Sequence, residues 1–373
     1  MNTLNKSLNK IMVVFGTRPE AIKMCPLVLE LKKRKINVVV CVTGQHRQML
    51  DQVLNFFGVI PDYDLSIMKD HQDLFYITNS ILTKMQIVID EVSPAMCLVH
   101  GDTTTSFATA LACFYKQIPV AHVEAGLRTY NVNSPYPEEF NRQAIGVISA
   151  LNFAPTELAK QNLLKEGKDP NCIFVTGNTV IDAMRYTVKS NYSHKELDWV
   201  GNSRLILITA HRRENIGTPM HNMFRAIRRV LDEHDDVKAI YPIHMNPVVR
   251  KAATEELADC DKIHIIDPLD VYDCHNFEAK CYLCLTDSGG IQEECPAYGK
   301  PVLVMRDTTE RPEGIDAGTL KLVGTSEETI YQTFTMLLDN KEEYLKMAHA
   351  SNPYGDGHAC HYIANILESV LNH

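Results

Sequence analysis

Asp102, Glu124, Glu138 and His211 stand where apolar runs of this sequence stop or helices open, and side chains of these types so placed could move protons on a polar substrate. Asp102 closes CLVHGD ahead of three threonines, and Glu124 closes PVAHVEAG. A helix must begin near Thr103, so capping it is one role open to Asp102. Glu124 has no such role before Ala125 and Gly126; its apolar flanks would desolvate it and raise its pKa, the condition a general acid or base needs. Glu138 opens a helix after a proline-marked loop, GLRTYNVNSPYPEEFNRQA, with Arg142 four residues on. That spacing makes a surface ion pair, although closeness to Glu124 along the chain favours a shared site. His211, in LILITAHRRENIG beside Arg212 and Arg213, could transfer a proton or touch a phosphate at neutral pH.

Other clusters suit an anion. In VVFGTRPEAIKMCP a strand runs into a Gly-Thr-Arg-Pro-Glu turn and then a helix, which holds Arg18 at the strand's carboxyl end. A helix amino terminus plus a guanidinium makes an anion site there; a solvated arginine in an ordinary turn is the plainer alternative. In TDSGGIQEECPAYGKPVLVMRDTTERPEG, Ser288, Gly289 and Gly290 open a helix and can present backbone N–H groups to a diphosphate. Glu294, one turn on, could accept both hydroxyls of a ribose, and Arg311 sits in the loop after the next strand.

The elements that must position these residues alternate strand and helix. Short apolar runs predict strands at 11–15, 37–43, 95–100 and 119–123, most followed by helices rich in Leu, Met, Ile and Lys. A second series starts near 204 and continues at 237–243, 263–266, 282–286 and 301–305. This βαβ grammar predicts an α/β protein of two Rossmann-like, doubly wound parallel-sheet domains, with an interdomain cleft at their strand carboxyl ends. SNYSHKELDWVGNS, 190–203, is the best linker by composition, and the GNTVID segment offers an earlier boundary. The domains are expected at 1–175 and 176–354, with a last helix at about 355–373 packing back on the first.

With 37 basic and 46 acidic side chains the net charge is −9, which disfavours nonspecific binding to nucleic acid or membrane. An anion must therefore be held by locally placed Arg and Lys. The polar start MNTLNKSLNK lacks the apolar core of a secretory signal, and the eleven scattered cysteines suit reduced thiols in a cytoplasm. Cys281 and Cys284 form a C-x-x-C, but no second Cys or His pair follows at zinc spacing, so no metal is expected.

FGTRPEAIKM, HGDTTTS, HVEAGLRT, PEEFNR, GNTVID, AHRREN, TDSGGIQEE and ERPEG, in this order, resemble the bacterial non-hydrolysing UDP-N-acetylglucosamine 2-epimerases. The likeness runs from about residue 11 to NPYGDG near 356. It implies a GT-B-like fold, a homodimer, and interconversion of UDP-GlcNAc and UDP-ManNAc without metal or nicotinamide cofactor, supplying ManNAc for surface polysaccharide. Carried over by position, it makes Asp102, Glu124, Glu138 and His211 catalytic. It makes Arg18, Lys23, Arg142, His211, Ser288, Gly289, Gly290, Glu294 and Arg311 the UDP contacts. It also implies an activating second UDP-GlcNAc at Gln45, Gln48, Glu138, Arg212 and His244. Cys274 departs from the pattern: the family has a phenylalanine there that stacks on uracil, so stacking is weaker here or comes from another ring such as Phe277.

The C2–H of the sugar is not acidic enough for direct abstraction. Inversion is easiest if that proton leaves as UDP departs from C1, giving 2-acetamidoglucal, after which UDP re-adds and a proton returns to the other face. Which carboxylate serves which face stays open. The alternatives are a hydrolysing 2-epimerase releasing ManNAc and UDP, a UDP-sugar-binding regulator, which needs no carboxylate cluster, and a glycosyltransferase, which needs an acceptor groove.

Overall fold

IMVVF reads as an unbroken apolar run because both faces of its strand are covered; β1 (Ile11–Phe15) is buried at every residue. The computed structural model describes residues 9–45, 47–69 and 72–371, so most of MNTLNKSLNK lies outside the described residues. Beside β1 run β2 (Val38–Val42), β3 (Tyr63–Asp64), β4 (Met96–His100), β5 (Val120–Val123), β6 (Leu151–Ala154) and β7 (Ile173–Val175). Their spatial order is β3-β2-β1-β4-β5-β6-β7, and all pairings are parallel. The second sheet contains β8 (Arg204–Thr209), β9 (Val237–Pro242), β10 (Ile263–Ile266), β11 (Leu283–Thr286), β12 (Val302–Val304) and β13 (Leu320–Leu322). It is also parallel, in the order β10-β9-β8-β11-β12-β13. Both orders reverse direction in mid-sheet, between β1 and β4 and between β8 and β11, and the loops leaving those strands diverge at their carboxyl ends.

By its contacts the chain divides into two units, Met1–Tyr186 with Tyr354–His373, and Thr187–Pro353. This split is later than a boundary at 175/176. Asn178 Nδ2 donates to Glu124 Oε2 at 2.8 Å, while Asp182 accepts the backbone N–H groups of Ala359 and Cys360 at 3.0 and 2.9 Å, so helix Thr179–Thr187 is tied to the first unit. The backbones of Gly177 and Gly355 meet so closely that a Cβ on Gly177 would sit 3.1 Å from Gly355 Cα, and both have positive φ, so a side chain at either would be strained. Helix Ala359–Leu371 packs on helix Arg18–Lys33, with Arg34 Nη1 2.9 Å from Glu368 Oε2. The stretch read as a linker belongs to the second unit. It holds helix Lys195–Val200, whose Val200 is buried and whose Trp199 stacks on His264 with ring centroids 3.5 Å apart.

Among the described residues no helix is long and apolar enough to cross a membrane. His100 and His122, on adjacent strands β4 and β5, are both buried, and burial lowers their pKa values to about 4 and about 3. His122 Nε2 donates to Gly101 O at 2.7 Å, which steadies the turn carrying Asp102. Because the folded state refuses a proton that the unfolded chain accepts below pH ~6.5, each histidine makes stability fall as pH drops from there toward the folded value. Urea unfolding at pH 7, 6 and 5 should show wild type losing stability faster than His122→Gln, the gap approaching ~1.4 kcal/mol per pH unit. Parallel curves would show that His122 does not stay neutral in the folded protein.

Candidate functional site

In the first unit the loops after β1 and β4 are welded together by one carboxylate. Glu20 is buried and accepts Gly16 N (3.0 Å), Thr17 N (2.8 Å), Thr17 Oγ1 (2.8 Å), Thr103 Oγ1 (2.6 Å) and Ser106 Oγ (3.0 Å). Burial pushes its pKa up, while these donors pull it down. Pro19 and a capping box of Thr17 with Glu20 start the helix, which puts Arg18 in its first turn and points Lys23 back toward β5.

Asp102 is not the cap of the following helix. Thr103 fills that place, its side chain accepting Ser106 N at 3.1 Å, and Asp102 is left to bind Arg142. Arg142 Nη2 and Nε lie 2.6 and 2.8 Å from Asp102 Oδ2, and Asn141 Nδ2 donates to Asp102 O at 2.8 Å. Of the two readings open for Arg142, the surface pair with Glu138 does not form: Arg142 turns to Asp102 and to Glu139, 3.3 Å from its Nη1. Glu139, fully buried, also accepts Thr129 N and Tyr130 N at 3.0 Å and Gln143 Nε2 at 2.9 Å. Burial works to raise its pKa, but those donors and Arg142 outweigh it and hold the carboxyl below its ordinary value.

Glu124 follows β5 with φ of +63°, the left-handed region that a residue with a Cβ enters only when its surroundings compel it. The carboxylate touches Lys23 Nζ, accepts Asn178 Nδ2 and lies 3.7 Å from His100 Nε2, a buried atom without a hydrogen-bond partner among the described residues. Desolvation was the influence legible in sequence; the ammonium contact works against it. Lys23, Glu124, Asn178 and His100 thus form one cluster, and Asp102, Arg142 and Glu139 a second, at the ends of neighbouring strands. Of the other first-unit candidates, Glu138 opens the helix Glu138–Ile148, Gln45 Oε1 accepts Thr105 Oγ1 at 2.9 Å, and Gln48 is exposed.

In the second unit the organising carboxylate is Asp287, at the end of β11. Fully buried, it accepts His211 N and Arg212 N at 2.9 Å and Asn215 Nδ2 at 3.1 Å, which fixes the AHRREN loop after β8. The His211 ring stacks on His244, centroids 5.4 Å apart at 12°, and burial lowers its pKa, with the Asp287 charge opposing. Beyond it, Glu310 meets three guanidiniums, with Arg306 Nη1 at 2.6 Å, Arg212 Nη2 at 3.4 Å and Arg311 Nη1 at 3.5 Å. Burial would raise its pKa, but the arginines outweigh that and hold it at about 2. Arg311 Nε also binds the buried Glu293 at 2.7 Å.

Gly289 lies against this cluster: an added Cβ would stand 3.1 Å from Glu310 Oε1 and 3.6 Å from Arg311 Cζ. Of the SGG amides, Ser288 N is already used, donating to Thr286 Oγ1 at 2.9 Å. The helix there is short, Ile291–Glu294, and its Glu294 carboxylate lies beside Gly290. Phe277 is fully buried against Tyr192 and His194, so it offers no ring to a uracil. Sequence reasoning passed over Glu20, Glu139, Asn178, Asp287, Glu293 and Glu310. Two signals were available: Asp287, like Asp102, ends an apolar strand, and Thr17 with Glu20 three residues on has the spacing of a capping box.

Two doubly wound parallel sheets, each with its ionisable residues on the loops at its strand carboxyl ends, define a two-Rossmann-domain α/β protein of the GT-B-like class. A UDP-N-acetylglucosamine 2-epimerase family model matches residues 29–368. The Bacillus subtilis UDP-N-acetylglucosamine 2-epimerase is 60% identical over 365 residues, which cover 98% of this chain and 95% of that one. The S. aureus MnaA–UDP structure superposes with a TM-score of 0.90 at 51% identity, covering 98% of this chain and 97% of that one. A Neisseria meningitidis UDP-GlcNAc 2-epimerase bound to UDP-GlcNAc gives 0.88 at 47% identity, with 96% and 100% covered. The chain belongs to the UDP-N-acetylglucosamine 2-epimerase family.

Proposed function

We propose that the protein epimerises UDP-GlcNAc reversibly to UDP-ManNAc at C2 and is of the non-hydrolysing type. The observation that carries this reading is the pair of carboxylates at adjacent strand ends, Glu124 with Lys23 and Asp102 with Arg142, in a chain 60% identical to a curated 2-epimerase. A base takes the C2 proton as the C1–O bond breaks and UDP leaves; UDP then re-adds to C1 of the 2-acetamidoglucal while a proton is delivered to the opposite face of C2. Asp102, Glu124, Glu138 and His211 are the proton-transfer candidates. Arg18, Lys23, Arg142, the SGG turn, Glu294 and Arg311 hold UDP, and Arg142 does so while remaining the counter-charge of Asp102. Oxidation and reduction at C3 or C4 would call for a nicotinamide, and the chain has no G-x-G-x-x-G fingerprint.

A cytoplasmic homodimer supplying ManNAc to surface polysaccharide, with a second UDP-GlcNAc activating through Gln45, Gln48, Glu138, Arg212 and His244, completes the reading. Incubation with UDP-GlcNAc in D₂O, followed by NMR, should give UDP-ManNAc carrying deuterium at C2. Free ManNAc with UDP as the accumulating products would make the enzyme a hydrolysing 2-epimerase. Product keeping its original C2 hydrogen would overturn the elimination route.

A further inference from the structure

Helix Val271–Lys280 carries a carboxylate that none of the roles above employs. Glu278 is completely buried. Its Oε1 accepts the Cys274 thiol, one helical turn earlier, at 3.2 Å, and its Oε2 has no hydrogen-bond partner among the described residues. No Lys or Arg among the described residues pairs with it. What it faces is another acid: ligand atoms of Glu278, Glu294 and His275 all lie within 4.8 Å of one another. His275 is anchored through Nδ1 to Thr187 Oγ1 at 2.7 Å. Cys274 therefore has a role as the donor to Glu278, at a position where the family pattern places a ring.

Two ionised carboxylates cannot sit this close with one of them desolvated; either a proton or a cation must join them. A proton on Oε2 serves both needs, because it removes the buried charge and turns an orphaned acceptor into a donor aimed at Glu294. We propose that Glu278 is a positioning residue for nucleotide recognition, a neutral carboxylic acid that donates to Glu294 and thereby fixes the Glu294 carboxylate, ionised, for the two ribose hydroxyls. Burial and the neighbouring charge of Glu294 both push Glu278 well up, in agreement with the neutral form. This proposal rests on the reading of Glu294 as the ribose acceptor. Its chemical consequence is discrimination: an aimed carboxylate rewards a vicinal diol, so UDP should be preferred over its 2′-deoxy counterpart.

The test compares UDP and dUDP binding by calorimetry in wild type, Glu278→Gln, Glu278→Met and Glu294→Gln. Glutamine keeps a donor and an acceptor, so Glu278→Gln should hold UDP within about threefold of wild type. Glu278→Met should lose about tenfold or more for UDP and little for dUDP, raising KM while leaving kcat at saturation. Infrared difference spectra between wild type and Glu278→Gln should contain a protonated-carboxyl C=O stretch belonging to Glu278, a readout independent of how well Glu278→Met folds. If Glu294→Gln leaves the UDP/dUDP ratio intact, the ribose reading itself fails. If Glu294→Gln removes the discrimination but Glu278→Met keeps it, or the carboxyl stretch is missing, Glu278 is not the positioning group. Stoichiometric metal in the purified protein, lost together with UDP affinity in Glu278→Gln, would mean that a cation and not a proton joins the pair.

Discussion

On the proposed mechanism, Glu124→Gln and Asp102→Asn should each slow epimerisation by about 10²–10⁴-fold while the protein stays folded, because each would remove a proton-transfer group and keep its shape. The local contacts make the two losses separable from unfolding. Glutamine at 124 can still accept from Asn178, although Lys23 then faces a neutral group in a pocket where the carboxylate side chain is only 9% exposed, so a modest fall in stability accompanies the loss of rate. Asparagine at 102 still accepts from Arg142, whose charge retains Glu139 as a partner. Wash-in of solvent deuterium at C2, measured from UDP-GlcNAc and separately from UDP-ManNAc, adds the assignment that sequence left open. If the two carboxylates serve opposite sugar faces, the variants will suppress exchange from different substrates. Turnover within tenfold of wild type in either variant would remove that residue from the chemistry.

The strain at Glu124 belongs to the same argument. A non-glycine residue at φ of +63° costs about 1–3 kcal/mol and persists only where neighbours over-determine it, here the Lys23 and Asn178 contacts. Nothing in VEAG announces this conformation. The sequence separation of these partners, 101 residues to Lys23 and 54 to Asn178, explains why only the carboxylate itself was legible.

Legibility followed the physics of each element. β1, β2, β4, β5, β8, β11 and β12 were readable because strands largely covered on both faces are written as near-continuous apolar runs, and β9 and β10 kept enough apolar residues around Lys238 and His264 to be read as well. β3, β6, β7 and β13 were not, because polar or exposed residues break their apolar runs: β3 is only Tyr63–Asp64, β6 carries the buried Asn152, Val175 of β7 is exposed, and β13 holds Lys321. Residues at strand ends stood out because a charge after an apolar run is conspicuous. What they bind did not, since Arg142 could reach Asp102, Glu138 or Glu139 from the same helix, and only folding chose the first and third. Thr103 against Asp102 as helix cap is a similar choice between adjacent competent residues.

Arg311→Ala is expected to have two large effects that a second substitution can separate. If Arg311 is the diphosphate ligand proposed above, it contributes charge-assisted hydrogen bonds of about 1.5–3 kcal/mol, so UDP should bind roughly 10- to 150-fold more weakly. The same guanidinium is the 2.7 Å partner of Glu293, which is 1% exposed, and truncating one member of a buried pair strands the other, typically at about 3–5 kcal/mol. The single variant should therefore melt early as well as bind poorly, and poor binding alone would be ambiguous. Adding Glu293→Gln neutralises the stranded carboxylate and should restore most of the unfolding free energy in urea. It cannot supply a cation to the diphosphate, so calorimetric UDP affinity should remain as weak in Arg311→Ala/Glu293→Gln as in the single variant. Near-normal UDP affinity in the refolded double variant would leave Arg311 a structural clamp on Glu293 and Glu310 and take it out of the nucleotide site.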